Sequence, residues 1–542
     1  MTNVCEADLF GTKRSPREVC PLELERYCPP QLIISGSGDE RQVLESLRRY
    51  GNRPSYVHKT FHHLFQLTQN GYERPRIDII ELVVECSKQY QSVFGIQMAA
   101  TACLFNLAKE TNSQKLHPKV LSKIVNVDLD AMEAFPQHQQ LQKNVLLTLC
   151  NDRILQDVNF DKYRCARLVM DCLCTWPDPA MNRMSVAICS ILAAKITTKE
   201  TSKLGSTAKY MNKLLQIVRT KTDARDLDVT LKFTLSALWN LTDESPNTCK
   251  VFLDEGGMEL FLRVIQTYPS EVAIETKVLG LLNNIAEVKE LRSYIMDSRL
   301  VQELRKLMKS SKIEVSYFAA GIVAHLASDD IEAWNLPSNP KDEITHELMS
   351  IVSQWETPDS EMVAYRSFTP FFPLMAVNQE YSVQLWAVWA IHHVCTKNPK
   401  RYLPMLVYQE GIRVIATLVD ANVQGMVYVM CKEVLDIVVK ESIMGKSVLL
   451  ALQREIEKER LSKLNSKIDE RNQEGNIQYS SNSDSSQENC CKMTTERSKH
   501  KCIAHPKICQ NKECSGDQTD GSEVMQNKVM DLCRQRSGAL ED

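Results

Sequence analysis

Glycine is scarce in this chain, 18 in 542 residues, and so is the alternation of apolar and polar residues between turn signals that marks strands; a largely β architecture is excluded. No apolar run reaches 18 residues, so the sequence encodes no bilayer-spanning helix. The opening stretch MTNVCEADLFGTKR lacks the apolar core of a secretory leader, and a cytoplasmic or nuclear location is expected. Charge is nearly balanced at −3, which leaves no electrostatic footprint for nucleic acid or a membrane surface. Phosphate loops, H-E-x-x-H and G-x-S-x-G are missing, as is a strand scaffold to carry them. The chain reads as a non-catalytic binding protein with no cofactor and no metal.

What is present is repetition. CLFNL ends at Leu107, LLTL at Leu149, ILAA at Ala194, LWNL at Leu241, LNNI at Ile285 and VAHL at Leu326, spaced by 41 to 47 residues. A seventh copy, WAVWAIHH, ends at His393 after 67 residues, room for an insertion of half a repeat. A period in the forties belongs to armadillo and HEAT arrays, whose units bury their apolar faces only by stacking. The fold class is therefore all-α: an armadillo-like helical solenoid. Leu231, Leu235, Leu238 and Leu241 share one helical stripe, as do Val278, Leu281, Leu282 and Ile285. Glycines in Asp254-Glu255-Gly256-Gly257 and Glu410-Gly411 stand where one helix gives way to the next, and a left-handed backbone is expected of them.

Both ends differ from the middle. Residues 1–40 are broken by Cys20-Pro21, Cys28-Pro29-Pro30 and Gly36-Ser37-Gly38 and read as an irregular remnant of an N-terminal repeat region. The armadillo-like domain is expected over 41–445, followed by a charged helix over 446–471 and a disordered tail over 472–542, poor in Leu, Ile, Val and Phe. Cys502, His505, Cys509 and Cys514 in that tail approach zinc spacing, but the short separation and the missing apolar surroundings favour simple thiols. Nineteen cysteines could imply disulfides. Cys103, Cys150, Cys189 and Cys395, however, lie in or beside helical signatures, where a reduced thiol packs as a small apolar group.

The informative chemistry lies in the fourth and fifth signatures. Trp239, Asn240 and Asp243 share one helix face, Asn284 and Glu287 share the equivalent face, and Asn240–Asn284 and Asp243–Glu287 are each 44 residues apart, one repeat. Stacking then sets two carboxylates, two amides and an indole side by side on the inner wall. Such a group suits an α-ammonium: three donors and a positive charge for the carboxylates, and a π face beside them. A wall closing over the first Cα would select small first residues. The plainer reading is that Asn240 and Asn284 are ladder residues stitching repeats together while Asp243 and Glu287 are surface charges.

SALWNLTDESPNTCKVFLDEGGMELFL, LGLLNNIAEV, YFAAGIVAHLASD, YRSFTPFFPLM and QLWAVWAIHHVC resemble the C-terminal armadillo domain of the Zyg-eleven/Zer-one family, substrate receptors of Cullin-two RING ubiquitin ligases, over about 39–442. The resemblance implies binding of proteins with an exposed N-terminal glycine through Trp239, Asn240, Asp243, Asn284 and Glu287, and partnership with elongin B/C and Cullin-two. It also implies contacts from Tyr365, Arg366 and Ser367 to later peptide residues, with packing the competing role. Family members carry a cullin box and leucine-rich repeats before this domain, where this chain has about 40 residues, so it resembles a shortened form whose ligase recruitment is in question. Two alternatives stand beside this reading: an armadillo scaffold for extended basic peptides, or a ligase-incompetent competitor of a longer receptor.

Overall fold

A computed structural model describes residues 40–69, 71–421 and 423–441. The expected N-terminal remnant, charged helix and tail lie outside them, except that Glu40 already opens a helix, Glu40–Tyr50. Among the described residues every regular element is helical. They group into two units: residues up to 356 together with 381–386, and residues 357–380 together with those from 387 on.

The first unit is a ladder of long helices, each packed on the next: α1 (Pro54–Thr68), α2 (Phe94–Leu107), α3 (Gln139–Leu149), α4 (Pro179–Ala193), α5 (Val229–Thr242), α6 (Val272–Ala286) and α7 (Ile313–Ala327). The first six sequence signatures each end on or just beyond one of these helices, α2 to α7 in order, and the seventh lies on the later helix Tyr381–Lys397. A second layer runs behind them: Ile77–Gln89, Pro118–Ala134, Lys162–Thr175, Ala208–Asp223 and Gly257–Thr267, again packed in succession. Short helices such as Thr198–Gly205 and Pro246–Asp254 complete three-helix repeats. The two predicted leucine-rich stripes on α5 and α6 are fully buried between layers, which is where burial at about 25 cal/mol per Å² holds the stack together.

Local chemistry sets the boundaries. Proline occupies the first helical position at Pro118, Pro179 and Pro246, where its missing N–H is no loss. Asp228 accepts from the Leu231 N–H to cap α5, and Asp178 accepts from the N–H groups of Ala180 and Met181 to cap α4. At the two glycine junctions the structure divides the work differently. Gly256 takes the left-handed conformation (φ 74°) as expected, but at the second junction Glu410 takes it (φ 60°) and Gly411 does not. Gly411 is needed instead for space, since a Cβ there would meet Leu406 Cδ1 at 2.4 Å.

In the second unit, helices Pro399–Tyr408, Gly411–Asp420 and Met426–Lys440 gather around Tyr402, Phe368 and Phe371, all buried. The ten described cysteines carry no disulfide, and nine of them are buried, Cys103, Cys150, Cys189 and Cys395 among these. Burial pushes the thiols of Cys103, Cys189 and Cys395 far above their ordinary value, so they pack as neutral groups.

Candidate functional site

The five predicted residues all fall at the C-terminal ends of α5 and α6, adjacent helices in the ladder. Trp239 is half-buried. Its ring lies against the backbone of Gly280 on α6: a Cβ at that glycine would meet the indole at 2.4 Å. From there the ring reaches across α6 to Phe318 on α7, edge to face with centroids 5.2 Å apart. One aromatic shelf thus spans three ladder helices, and the absent side chain at position 280 makes it possible.

The two asparagines have structural duties. Asn240 Nδ2 donates to the Ser190 carbonyl of α4 at 2.9 Å. Asn284 Nδ2 donates to the Trp239 carbonyl and to Thr242 Oγ1, both at 3.1 Å. These bonds stitch each repeat to the one before it, so the amide nitrogens are committed and only the carbonyl sides are left to serve a ligand. The plainer reading of the asparagines therefore describes their N–H groups correctly.

The carboxylates are placed otherwise. Asp243 follows the last residue of α5, and Glu287 follows the last residue of α6, each half-exposed. Burial at the foot of the wall pushes the Glu287 carboxyl up to about 8, with the nearby carboxylates of Asp243 and Glu244 adding to the push. The Asn283 amide, donating to Glu287 Oε1 at 2.8 Å, and the positive Arg292 pull the other way. Arg292 does not neutralise the group: its guanidinium caps α6 at the Ala286 carbonyl and pairs with Asp329 at 2.6 Å, both partners almost enclosed. All three carboxyl groups keep part of their surface open to solvent.

Three contributors escaped the sequence reading. Asn283, not Asn284, holds Glu287; Gly280 admits the indole; and Glu244 supplies a third carboxylate, from a left-handed backbone (φ 51°) that non-glycine residues adopt at a cost of about 1–2 kcal/mol. Gly280 left a trace in the sequence: Gly321 recurs 41 residues later and likewise lies under a tryptophan, Trp386.

Behind the site Cys249 donates to the Thr242 carbonyl at 3.5 Å and is driven far above its usual value by burial, which removes it as a nucleophile. Among the described residues no three His, Cys, Asp or Glu side chains are grouped to hold a metal ion. A cavity of about 340 Å³ lies elsewhere, lined by residues such as Arg183, Lys213 and Thr220, and includes none of the five. Tyr365, Arg366 and Ser367 belong to the second unit. There the Tyr365 ring packs edge to face on Phe371 at 5.0 Å, and Ser367 Oγ accepts from Gln409 Nε2 at 3.0 Å, which favours packing for these two. In the same unit His393 stacks on Trp389 and accepts from the Met362 N–H, and burial lowers it to about 4.

Residues 85–440 match the family described as protein zer-1 homolog-like, C-terminal domain. The chain is 29% identical over 394 residues to Protein zer-1 homolog of Homo sapiens, covering 72% of this chain and 51% of that protein. It is 29% identical over 397 residues to Zyg eleven-related protein 1 of Caenorhabditis elegans, covering 72% of this chain and 44% of that one. The chain thus spans about half the length of the curated relatives it matches. A designed armadillo repeat protein, 16% identical over 50% of this chain and 98% of its own, superimposes with a TM-score of 0.28, too loosely to argue from. With the match running through every ladder helix from α2 to α7, the chain belongs to the zer-1 homolog-like family and carries its C-terminal domain.

Proposed function

We propose that the α5–α6 face receives the free amino terminus of another protein, with glycine as its first residue, and that the chain serves as the substrate-recognition part of a Cullin-two RING ubiquitin ligase. The observation that carries the reading is the gathering of the Asp243, Glu244 and Glu287 carboxyl groups, close enough to raise the Glu287 carboxyl, at the helix ends that carry the Trp239 indole. An α-ammonium suits that gathering, since it brings one positive charge and three donors to acceptors that already crowd one another. The half-buried indole, backed by the buried Phe318, gives the first residue an apolar wall, which leaves most room for a residue without a side chain. Elongin B/C and Cullin-two are the partners the family resemblance implies, and the chain itself performs no catalysis.

An extended basic peptide would need acidic groups repeated along the ladder. Among the ladder helices the Trp-Asn pair occurs once, at Trp239-Asn240, the other such pair, Trp334-Asn335, lying outside them, and Ala193 stands at the position of Asn240 one repeat earlier. That favours a single pocket over a long track. Calorimetric titration of a Gly-started peptide against its N-acetylated twin tests the reading. Acetylation removes the charge, so the twin should bind at least tenfold more weakly; equal affinities would end the proposal. Co-purification with elongin and cullin subunits separates a receptor from a competitor that binds substrate alone.

A further inference from the structure

About three turns back from the carboxylates, the same two helices carry a pair of lysines. On α5, Lys232, Ser236, Trp239 and Asp243 follow one another at helical spacing; on α6, Lys277, Gly280, Asn284 and Glu287 do the same. The register between these stripes is fixed twice, by the Asn284–Trp239 hydrogen bond and by the indole lying on Gly280. One turn further along, that register brings Lys277 up beside Lys232. Both side chains are half-exposed, and among the described residues neither forms an ion pair with a carboxylate. Burial, with Lys232 adding like-charge repulsion, holds the Lys277 ammonium below its usual value.

The wall is therefore acidic at one end and basic at the other. We propose that Lys232 and Lys277 form a second subsite that receives an acidic side chain of the bound protein, three to five residues after its amino terminus. The distance follows from the helices: ten residues separate Lys277 from Glu287 and eleven separate Lys232 from Asp243, about 15–17 Å at the helical rise of about 1.5 Å per residue. An extended chain advances about 3.3 Å per residue. Four or five residues cover the span, and the reach of a lysine and a glutamate shortens it to as few as three. A carboxylate there would relieve the repulsion between two cations, as the α-ammonium relieves the three carboxylates. This subsite rests on the proposed recognition of a free amino terminus.

The test uses unblocked Gly-started peptides with Glu or Gln at positions four to six, each with an acetylated twin, titrated by fluorescence anisotropy against the full chain and against the Lys232→Gln/Lys277→Gln variant. The Glu peptide should bind the wild-type chain three- to tenfold more tightly than the Gln peptide, and the advantage should shrink in high salt. In the variant the advantage should vanish while the Gln peptide binds as before, which also shows the wall intact. Equal binding of Glu and Gln peptides to the wild-type chain, with acetylated twins still weak, would overturn the lysine subsite and leave amino-terminal recognition standing. Acetylated twins binding as well as their parents would overturn both.

Discussion

Two carboxyl groups in this ladder are held well above their ordinary range, and only one of them can meet a ligand. Asp128, on the second-layer helix Pro118–Ala134, is fully enclosed, and burial alone accounts for its rise. Glu287 is also raised by burial, but two neighbouring carboxylates contribute and its surface is half-open. Elsewhere in the repeats buried glutamine amides are settled on neighbouring backbone. Gln97 reaches back to the carbonyls of Ser87 and Tyr90, and Gln142, 45 residues on, does the same for Met132 and Phe135. At α5 and α6 the amide nitrogens are settled in the same manner, but the carboxyl groups lie close together with part of their surface open. A perturbed acid by itself therefore says little about function. Burial joined by like charges at a partly open surface is an arrangement that a cation would stabilise.

That contrast can be tested, and the largest effect is expected on binding. Asp243→Asn should weaken an unblocked Gly-started peptide by 5- to 150-fold, about 1–3 kcal/mol for a lost charge-assisted hydrogen bond, whereas Asp128→Asn should leave the Kd from calorimetry unchanged. Similar losses from both substitutions would break the comparison.

A smaller effect bears on the shelf. Gly→Ala in an ordinary helix stabilises by about 0.5–1 kcal/mol; at Gly280 the new Cβ would meet the indole at 2.4 Å, so Gly280→Ala should instead cost about 1–3 kcal/mol in urea unfolding. A stabilised variant would show that Trp239 does not lie where the shelf needs it.

The smallest effect is on pH dependence. Glu287 keeps its proton up to about 8 in the folded chain against an ordinary 4.5. Over that window the folded state binds more protons than the unfolded one, so the group's contribution to stability falls as pH rises through it. Asp128 acts in the same direction from 3.8 upward. Asp128→Asn should flatten the pH profile of stability without changing peptide affinity; Glu287→Gln should change both. Peptide affinity itself should rise severalfold from pH 6 to 8 as Glu287 ionises, then fall as the α-ammonium, with its pKa of about 7.7–8.0, loses its proton. A flat affinity profile would place the peptide away from Glu287.

Much of the fold is legible because a solenoid writes its period into the chain. The leucine stripes of α5 and α6, the repeat spacing and the ladder asparagines can all be read from residue positions, and the 44-residue separation of Asp243 from Glu287 already predicts neighbouring helix ends. The division of labour between Asn283 and Asn284 is not legible. Adjacent residues on a helix differ by about 100° in direction, and which of the two faces the preceding repeat depends on the packing of α6 against α5. Glu410 taking the left-handed backbone in place of Gly411 has a similar cause, for a contact with Leu406, distant from the rules of local turns, claimed the glycine.

The sequence by itself determined that the chain is helical and repetitive, and that acids and amides recur one repeat apart beside an indole, because apolar periodicity and stacking are local rules applied over and over. Only the tertiary structure decided that the indole lies against a glycine, that the asparagine nitrogens are committed to neighbouring backbone, and that Arg292 is paired with Asp329 instead of Glu287. Those outcomes depend on distances between helices, and helix-to-helix distance is set by the sum of all side chains packed between them.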